Sequence, residues 1–318
     1  MELHQLRYFA AVARTGSFTR AAQHCHVSQP ALSQQIQKLE LEFRQPLFHR
    51  LGRRVQLTEA GRRLLDDVLP VLRRLEEAAQ ALRAGDLATG VRLALGAIPT
   101  VGPYVLPEVL PLWTREFPNA ELTIREDVTS ALIAALVEGE LDLALLALPV
   151  DDPRLEAVPL VTEPLWAALP PDHPLVRRPQ VSLDDLARER FILLGEMHCL
   201  ADQVLAFCRA HDCHPSIACT SLQLGTIQQL IALGQGISLL PELAKRADRS
   251  GQVVYREVAG HTPSRTLAVV RHRHHAAGPG ERAMLVVLRT WAERSGLARP
   301  AQAARPVSTR RRRSPRRQ

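Results

Sequence analysis

The run Phe9-Ala-Ala-Val-Ala-Arg-Thr-Gly-Ser-Phe-Thr-Arg-Ala-Ala22, followed by Val27-Ser-Gln-Pro-Ala-Leu-Ser-Gln-Gln-Ile36, encodes successive helices and the breaks between them. Leu3, Leu6, Phe9, Ala10 and Ala13 recur at helical spacing, so the first helix starts ahead of the run. Gly16 ends it, and Ser17 is placed to cap a short second helix through Ala21 and Ala22. Cys25-His26-Val27 reads as a tight turn. Ser28 then caps a third helix, whose first turn tolerates Pro30 because an N–H there has no intrahelical partner to lose. That helix extends to about Glu42, with Ile36 and Leu39 facing inward. Two short helices joined by a turn of about three residues make a helix-turn-helix, a motif that sets the start of its second helix in the DNA major groove.

The residues at that position suit the task. Base edges are read by short polar side chains, while flanking groups hold phosphates. Gln29 can pair with adenine through both amide atoms, Pro30 offers an apolar contact to a thymine methyl, and Ser33 and Gln34 are one turn further along. Ser28 and Lys38 are phosphate candidates. Phe48 to Leu57 has the composition of a two-stranded wing, with Arg50, Arg53 and Arg54 placed around Gly52 for a phosphate or the minor groove.

Outward from this head, residues 58–83 carry Gly61, Leu65, Val68, Leu72, Leu75, Ala79 and Leu82 at alternating spacings of four and three. This reads as the seam of a linker and dimerisation helix, interrupted at Pro70; a helix packed on its own domain is the alternative. Past a glycine-containing hinge the pattern turns to strands alternating with helices. Strands are expected at 91–97, 121–128, 141–148, 165–169, 191–194, 237–240, 253–258 and 266–271. Helices are expected at 107–116, 130–138, 199–211, 223–233 and 280–295. The fold class is therefore α/β behind a winged helix-turn-helix head, with room for two small sheets and a cleft. The expected division is 1–57 head, 58–89 linker and hinge, 90–298 regulatory region and 299–318 tail.

The net charge of +7 belongs to that tail. Eight of the 40 basic residues lie in 299–318, leaving 32 against 33 acidic residues in the rest of the chain. Such an arginine-rich, Pro- and Ser-containing stretch cannot bury a core and is expected to stay disordered, either simply solvated or attracted to polyphosphate. No secretory pattern or membrane-length apolar run is present, which points to the cytoplasm and no membrane partner. Five cysteines are too few for a disulfide framework, and in a reducing compartment a disulfide would be transient and redox-sensing. Cys199 and Cys208 fall nine positions apart on one expected helix, which separates their Cα atoms by roughly 13 Å. A disulfide needs about 4.4–6.8 Å. If the two ever pair, the helix between them must open.

Residues 1–65 resemble the LysR-type bacterial transcriptional regulators through the run quoted above together with Leu39-Glu40, Leu47-Phe48, Arg50 and Leu57-Thr-Glu-Ala-Gly61. The second half is similar to the OxyR-type hydrogen-peroxide sensors within that family. The matching residues are Ile98-Pro-Thr-Val-Gly-Pro-Tyr-Val-Leu-Pro107, His198-Cys199-Leu, Asp202-Gln203, Phe207-Cys208, Thr220-Ser-Leu222 and Gly234-Gln-Gly-Ile-Ser-Leu-Leu-Pro241. The resemblance covers the chain to about residue 298. It implies a periplasmic-binding-protein-like sensor region of two subdomains, 90–162 with 266–298 and 163–265, and assembly into homodimers and homotetramers on double-stranded promoter DNA.

It also implies a redox mechanism. Cys199 would be the peroxidatic thiol and Cys208 the resolving one, with Thr100, Thr129, His198, Asp202 and Arg265 around the peroxide and Gln203 ordering water nearby. A thioredoxin- or glutaredoxin-type dithiol would reset the bridge, and RNA polymerase would read the output. No metal and no cofactor is called for. Cys25, Cys213 and Cys219 are expected bystanders, although Cys213 is close enough to Cys208 to act as a wrong resolving partner. Met197 stands where relatives often have glycine and Ala201 where some have arginine, differences that would crowd the thiol and remove a supporting charge. A LysR-type regulator that binds a small metabolite in the subdomain cleft is the alternative; an enzyme is not expected, since a DNA-binding head has no use in one.

Overall fold

The computed structural model describes residues 1–51, 54–83, 91–195, 199–275 and 277–299, with the backbone alone given for 50, 51, 54, 70, 73, 74 and 76–83. The head opens with α1 (Leu3–Thr15), α2 (Phe18–His24) and α3 (Gln29–Phe43). Gly16 ends α1 in the left-handed conformation at φ +60°, and the Ser17 and Ser28 hydroxyls each accept from the backbone N–H three residues on, both at 3.4 Å. Phe9, Val12, Ala21, Leu32, Ile36 and Leu39 are wholly enclosed and form the head's core. The wing follows as β1 (Phe48–Leu51) and β2 (Arg54–Leu57), paired antiparallel.

The long helix α4 (Glu59–Arg83) continues through Pro70. Its first half does not wait for a partner helix. Leu64, Leu65, Val68 and Leu72 pack on the head's own core, while Leu75 is exposed. Gly61 is in the seam for a different reason from the leucines. A Cβ there would lie 2.2 Å from the Leu47 carbonyl oxygen, so α4 approaches the head's backbone at a point only glycine permits. Ala79 and Leu82 have no described side chains, and the hinge at 84–90 and the tail from 300 lie outside the described residues.

The remaining chain alternates strands and helices in the order β3 (Arg92–Ala97), α5 (Gly102–Glu116), β4 (Glu121–Glu126), α6 (Thr129–Val137), β5 (Leu143–Ala147), β6 (Leu155–Leu169), β7 (Gln180–Val181) and α7 (Leu183–Ala187). There follow β8 (Arg190–Leu194), α8 (Cys199–Ala210), β9 (Ser216–Ser221), α9 (Leu224–Ala232), β10 (Ser238–Pro241), α10 (Glu242–Ala247), β11 (Val254–Val258), β12 (Ser264–His272) and α11 (Pro279–Arg294). Two compact units result. One comprises residues 1–157 and 269–287; the other comprises 158–268 and the described residues from 288. The chain crosses between them within β6, β12 and α11.

In the first unit β3 lies between β4 and β5, all parallel, with Ala97 opposite Glu126 at the end of the ladder. In the second, β10 and β11 pair antiparallel with β6, β7 pairs parallel with β11, and β8 and β9 form a separate parallel pair. Two elements exceed the expectation. Helix α5 starts at Gly102 rather than at Pro107, and Pro103, Pro107 and Pro111 recur every fourth residue on its exposed face. Carbonyls left without a donor there can be hydrated, and the opposite face buries Val105, Leu106, Val109 and Trp113. Strand β6 runs for 15 residues where only 165–169 was expected, despite Pro159 and Pro164. Strand β9, not among the expected strands, carries no strong alternation of burial.

Candidate functional site

In the head, α3 presents one continuous polar ridge. Ser28, Gln29, Pro30, Gln34 and Lys38 are exposed and Ser33 is half-buried, while Leu32, Ile36 and Leu39 face the core. The ridge is held rigidly. Glu40 accepts from the backbone N–H groups of Leu47 and Phe48 at 2.8 and 3.2 Å, which ties α3 to the base of the wing. Gln5 donates to Gln35 at 3.1 Å and ties α1 to α3. Thr58 donates to the Pro46 carbonyl at 2.7 Å and caps α4 by accepting from Gly61 N–H at 2.9 Å. Glu40 was visible in the sequence only as part of a motif; its acceptor role needed the wing to fold back on α3. Arg50 pairs with Val55 and Arg54 with Leu51 in the wing backbone, whereas Arg53 lies outside the described residues.

In the second unit, Cys199 is the first residue of α8, just beyond the carboxyl end of β8, and is partly exposed. Asp202 in the first turn is exposed. His198 and Met197 lie outside the described residues. The opposite face of α8 is anchored by Leu200, Ala201, Val204 and Cys208. Together with Leu193, Leu194, Leu224, Ile227 and Leu239, Leu200, Ala201 and Val204 leave a void of only about 10 Å³, no more than one water could use. Ala201, noted as a lost positive charge, thus occupies a packed position 5% exposed.

Cys208 is 1% exposed, and burial pushes its thiol up to about 12, with Cys213 beside it adding to the rise. The contact between these two sulfurs follows from how α8 ends. Asp212 turns left-handed at φ +55°, its N–H donates to the Arg209 carbonyl at 3.3 Å, and the Cys213 N–H donates to the Cys208 carbonyl at 2.9 Å. That is a Schellman closure, in which the residue after the turn packs on the last turn of the helix. Here both residues are cysteines, and each thiol influences the ionisation of the other. Cys213, expected to be a bystander, is 2% exposed and its thiol is likewise pushed up by burial.

In the first unit, Thr100 and Thr129 each stand three residues beyond adjacent parallel strands, β3 and β4, at the carboxyl edge where α/β sheets collect ligands. Thr100 is 2% exposed. The Thr129 hydroxyl is buried with no hydrogen-bond partner, an open polar valence at that edge. Arg265, which the resemblance places around the peroxide, carries its charge in an ion pair. Its side chain is fully enclosed and its guanidinium contacts Glu163, equally enclosed, through Nε and Nη2, both at 2.8 Å. The second Glu163 oxygen accepts from Leu243 N–H at 2.9 Å. Sequence reading missed Glu163 because nothing local distinguishes it from the polar positions of a strand. Among the described residues, no cluster of His, Cys, Asp and Glu is arranged to hold a metal, and no helix is long and apolar enough to cross a membrane.

A winged helix-turn-helix head followed by a long helix, on a chain that continues as alternating strands and helices, defines a DNA-binding transcriptional regulator. Residues 3–62 match the model of the bacterial regulatory helix-turn-helix proteins of the lysR family, and residues 88–293 match the LysR substrate binding domain. The chain belongs to the LysR family. Similar proteins include the "Hydrogen peroxide-inducible genes activator" of Pectobacterium carotovorum subsp. carotovorum, 39% identical over 85% of this chain and 90% of that protein. Another is the "DNA-binding transcriptional dual regulator OxyR" of Escherichia coli (strain K12), 39% identical over 85% of this chain and 89% of its own length. A solved full-length OxyR from Pseudomonas aeruginosa is similar in structure, with a TM-score of 0.67 and 33% identity over 96% of this chain and 99% of the other. These proteins are regulators, not enzymes.

Proposed function

We propose that this regulator senses hydrogen peroxide through Cys199 and converts the oxidation into a reversible Cys199–Cys208 disulfide that changes its hold on promoter DNA. The observation that carries the reading is the disposition of α8: one partly exposed thiol at its start, one enclosed thiol on its last turn, and a tightly packed face between them. The likeness to peroxide-inducible activators supports it.

The chemistry balances as two steps. The Cys199 thiolate attacks one peroxide oxygen; the S–O bond forms, the O–O bond breaks, and water leaves after protonation, giving a sulfenic acid. The Cys208 thiol then attacks that sulfur, the S–S bond forms and a second water departs. The likeness to peroxide sensors assigns Thr100, Thr129, His198 and Asp202 to the handling of the oxidant. Because intact α8 holds the two Cα atoms roughly 13 Å apart, the second step requires Leu200, Ala201 and Val204 to leave their packing. The opened segment shifts the regulatory region (90–298), and the linker (58–89) transmits the change to the heads (1–57) of a homodimer or homotetramer. RNA polymerase recruitment responds, and a thioredoxin- or glutaredoxin-type dithiol restores the start.

Peptide mapping after one equivalent of peroxide, run beside promoter-DNA binding, tests the reading. The expected result is a Cys199–Cys208 bridge and a changed footprint, both absent from Cys199→Ser. A second reading, a regulator of a bound metabolite, draws on the unpartnered Thr129 hydroxyl and on the substrate-binding character of the matched domain. It predicts that Cys199→Ser still answers its inducer.

A further inference from the structure

The contact between Cys208 and Cys213 is not needed for a two-cysteine switch, and it has a consequence of its own. The 2.9 Å hydrogen bond from Cys213 N–H to the Cys208 carbonyl keeps the two Cα atoms within about 7 Å of each other, since the bonded path between them is no longer than that. Disulfides span about 4.4–6.8 Å. A Cys208–Cys213 bridge therefore fits the end of an intact α8, whereas a Cys199–Cys208 bridge does not.

We propose that Cys213 is a third redox-active cysteine, which takes Cys208 out of the Cys199–Cys208 bridge by intramolecular exchange and so ends the signal. This deepens the peroxide-sensing reading and rests on it. The Cys213 thiolate attacks the Cys208 sulfur, the Cys199–Cys208 bond breaks, and Cys199 leaves as a thiolate that takes up the proton Cys213 has lost. No oxidant or reductant is consumed. Only four residues separate Cys208 from Cys213, so they remain neighbours even while the upstream part of α8 is open. The product lets α8 re-form and returns Leu200, Ala201 and Val204 to their enclosed positions, which gives the exchange its direction.

The resulting state has the helix of the reduced protein and a blocked resolving thiol. A second peroxide reaching Cys199 would find no partner, so the sensor is refractory until an external dithiol reduces Cys208–Cys213. Direct oxidation of this pair by peroxide is disfavoured in the resting protein, because both thiols are enclosed and burial keeps them protonated. The relay thus operates only after Cys199 has reacted.

The chain's own arginines and lysine make the test direct. Trypsin cleaves after Arg190, Arg209 and Lys245, placing Cys199 and Cys208 in one peptide and Cys213 with Cys219 in the next. Reduced full-length protein is given one equivalent of peroxide, quenched with alkylating reagent over a time course, digested and mapped, with fragmentation separating Cys213 from Cys219. The expected record is an early bridge within peptide 191–209, replaced later by a Cys208–Cys213 cross-link to peptide 210–245. In Cys213→Ser, and in Cys213→Ala as a second variant, the early bridge should persist several-fold longer. A wild-type bridge that lasts as long as in both variants, with no cross-link, overturns the relay and leaves peroxide sensing intact. A cross-link that forms as fast in Cys199→Ser, or a Cys199–Cys213 bridge, also overturns it. If Cys199 reaches only sulfenic or sulfinic acid and no bridge forms at any time, the relay and the sensing reading fall together.

Discussion

Glu163 and Arg265 enclose opposite charges completely, and Glu163 uses its second oxygen on the backbone of Leu243. A pair of this kind resists the loss of either member, because the survivor is a buried charge without its counterpart. Glu163→Ala and Arg265→Ala should each destabilise the second unit by about 3–5 kcal/mol, read as a lower urea midpoint. An Arg265→Ala variant of normal stability but slowed Cys199 oxidation would restore the arginine to the thiol's side. Cys208 supplies a pH signature. Its folded pKa is raised to about 12, so the native state keeps a proton that the unfolded chain gives up above the ordinary thiol range near 8.5. The unfolded state then binds fewer protons, and stability should fall as pH rises from about 9 toward 12, with a contribution of at most about 1.4 kcal/mol per pH unit from this group. Cys208→Ala should flatten that decline. At pH 7 alkylation should label Cys199 well before Cys208; equal rates would mean α8 is already open in the reduced protein.

At the scale of elements, α8 and α4 show two ways in which a helix is held. Helix α8 is secured by a tight apolar face and a Schellman closure, so its backbone amides should exchange slowly in the reduced protein and lose protection on oxidation. Hydrogen exchange resolved over residues 200–208 reads this, and unchanged protection after bridge formation would remove the conformational step. Helix α4 is secured by proximity instead. Gly61→Ala would drive a methyl into the Leu47 carbonyl, and the head should lose about 3 kcal/mol and its DNA affinity together, measurable by thermal unfolding and titration. The seam of α4 also shows where pattern reading stops. Its residues at Leu65, Val68 and Leu72 have the spacing of a coiled coil, yet their first use is to close the head's core. Spacing records that one face is apolar and does not say what covers it.

For the whole molecule, the head's exposed ridge and arginine wing imply an affinity governed by phosphate contacts. Arg53→Ala should weaken binding to unrelated sequences alike and reduce the slope of log affinity against log salt by about 1, whereas Gln29→Ala should cost about 1–3 kcal/mol at one base position only. An unchanged salt slope for Arg53→Ala would remove that residue from the backbone contacts. The amino-acid sequence by itself determined the head, the order of most strands and helices, and the two cysteines at the ends of α8, because capping residues, breakers and helical or alternating periodicity are local signals. It missed the first part of β6 and the start of α5, where prolines that normally end a helix lie on an exposed face. Only the tertiary structure decided that Arg265 belongs to Glu163, that Glu40 anchors the wing, and that Cys213 touches Cys208. Each of those pairings joins groups through burial or chain reversal, and a buried partner is chosen by packing in three dimensions, which leaves no periodic trace along the chain.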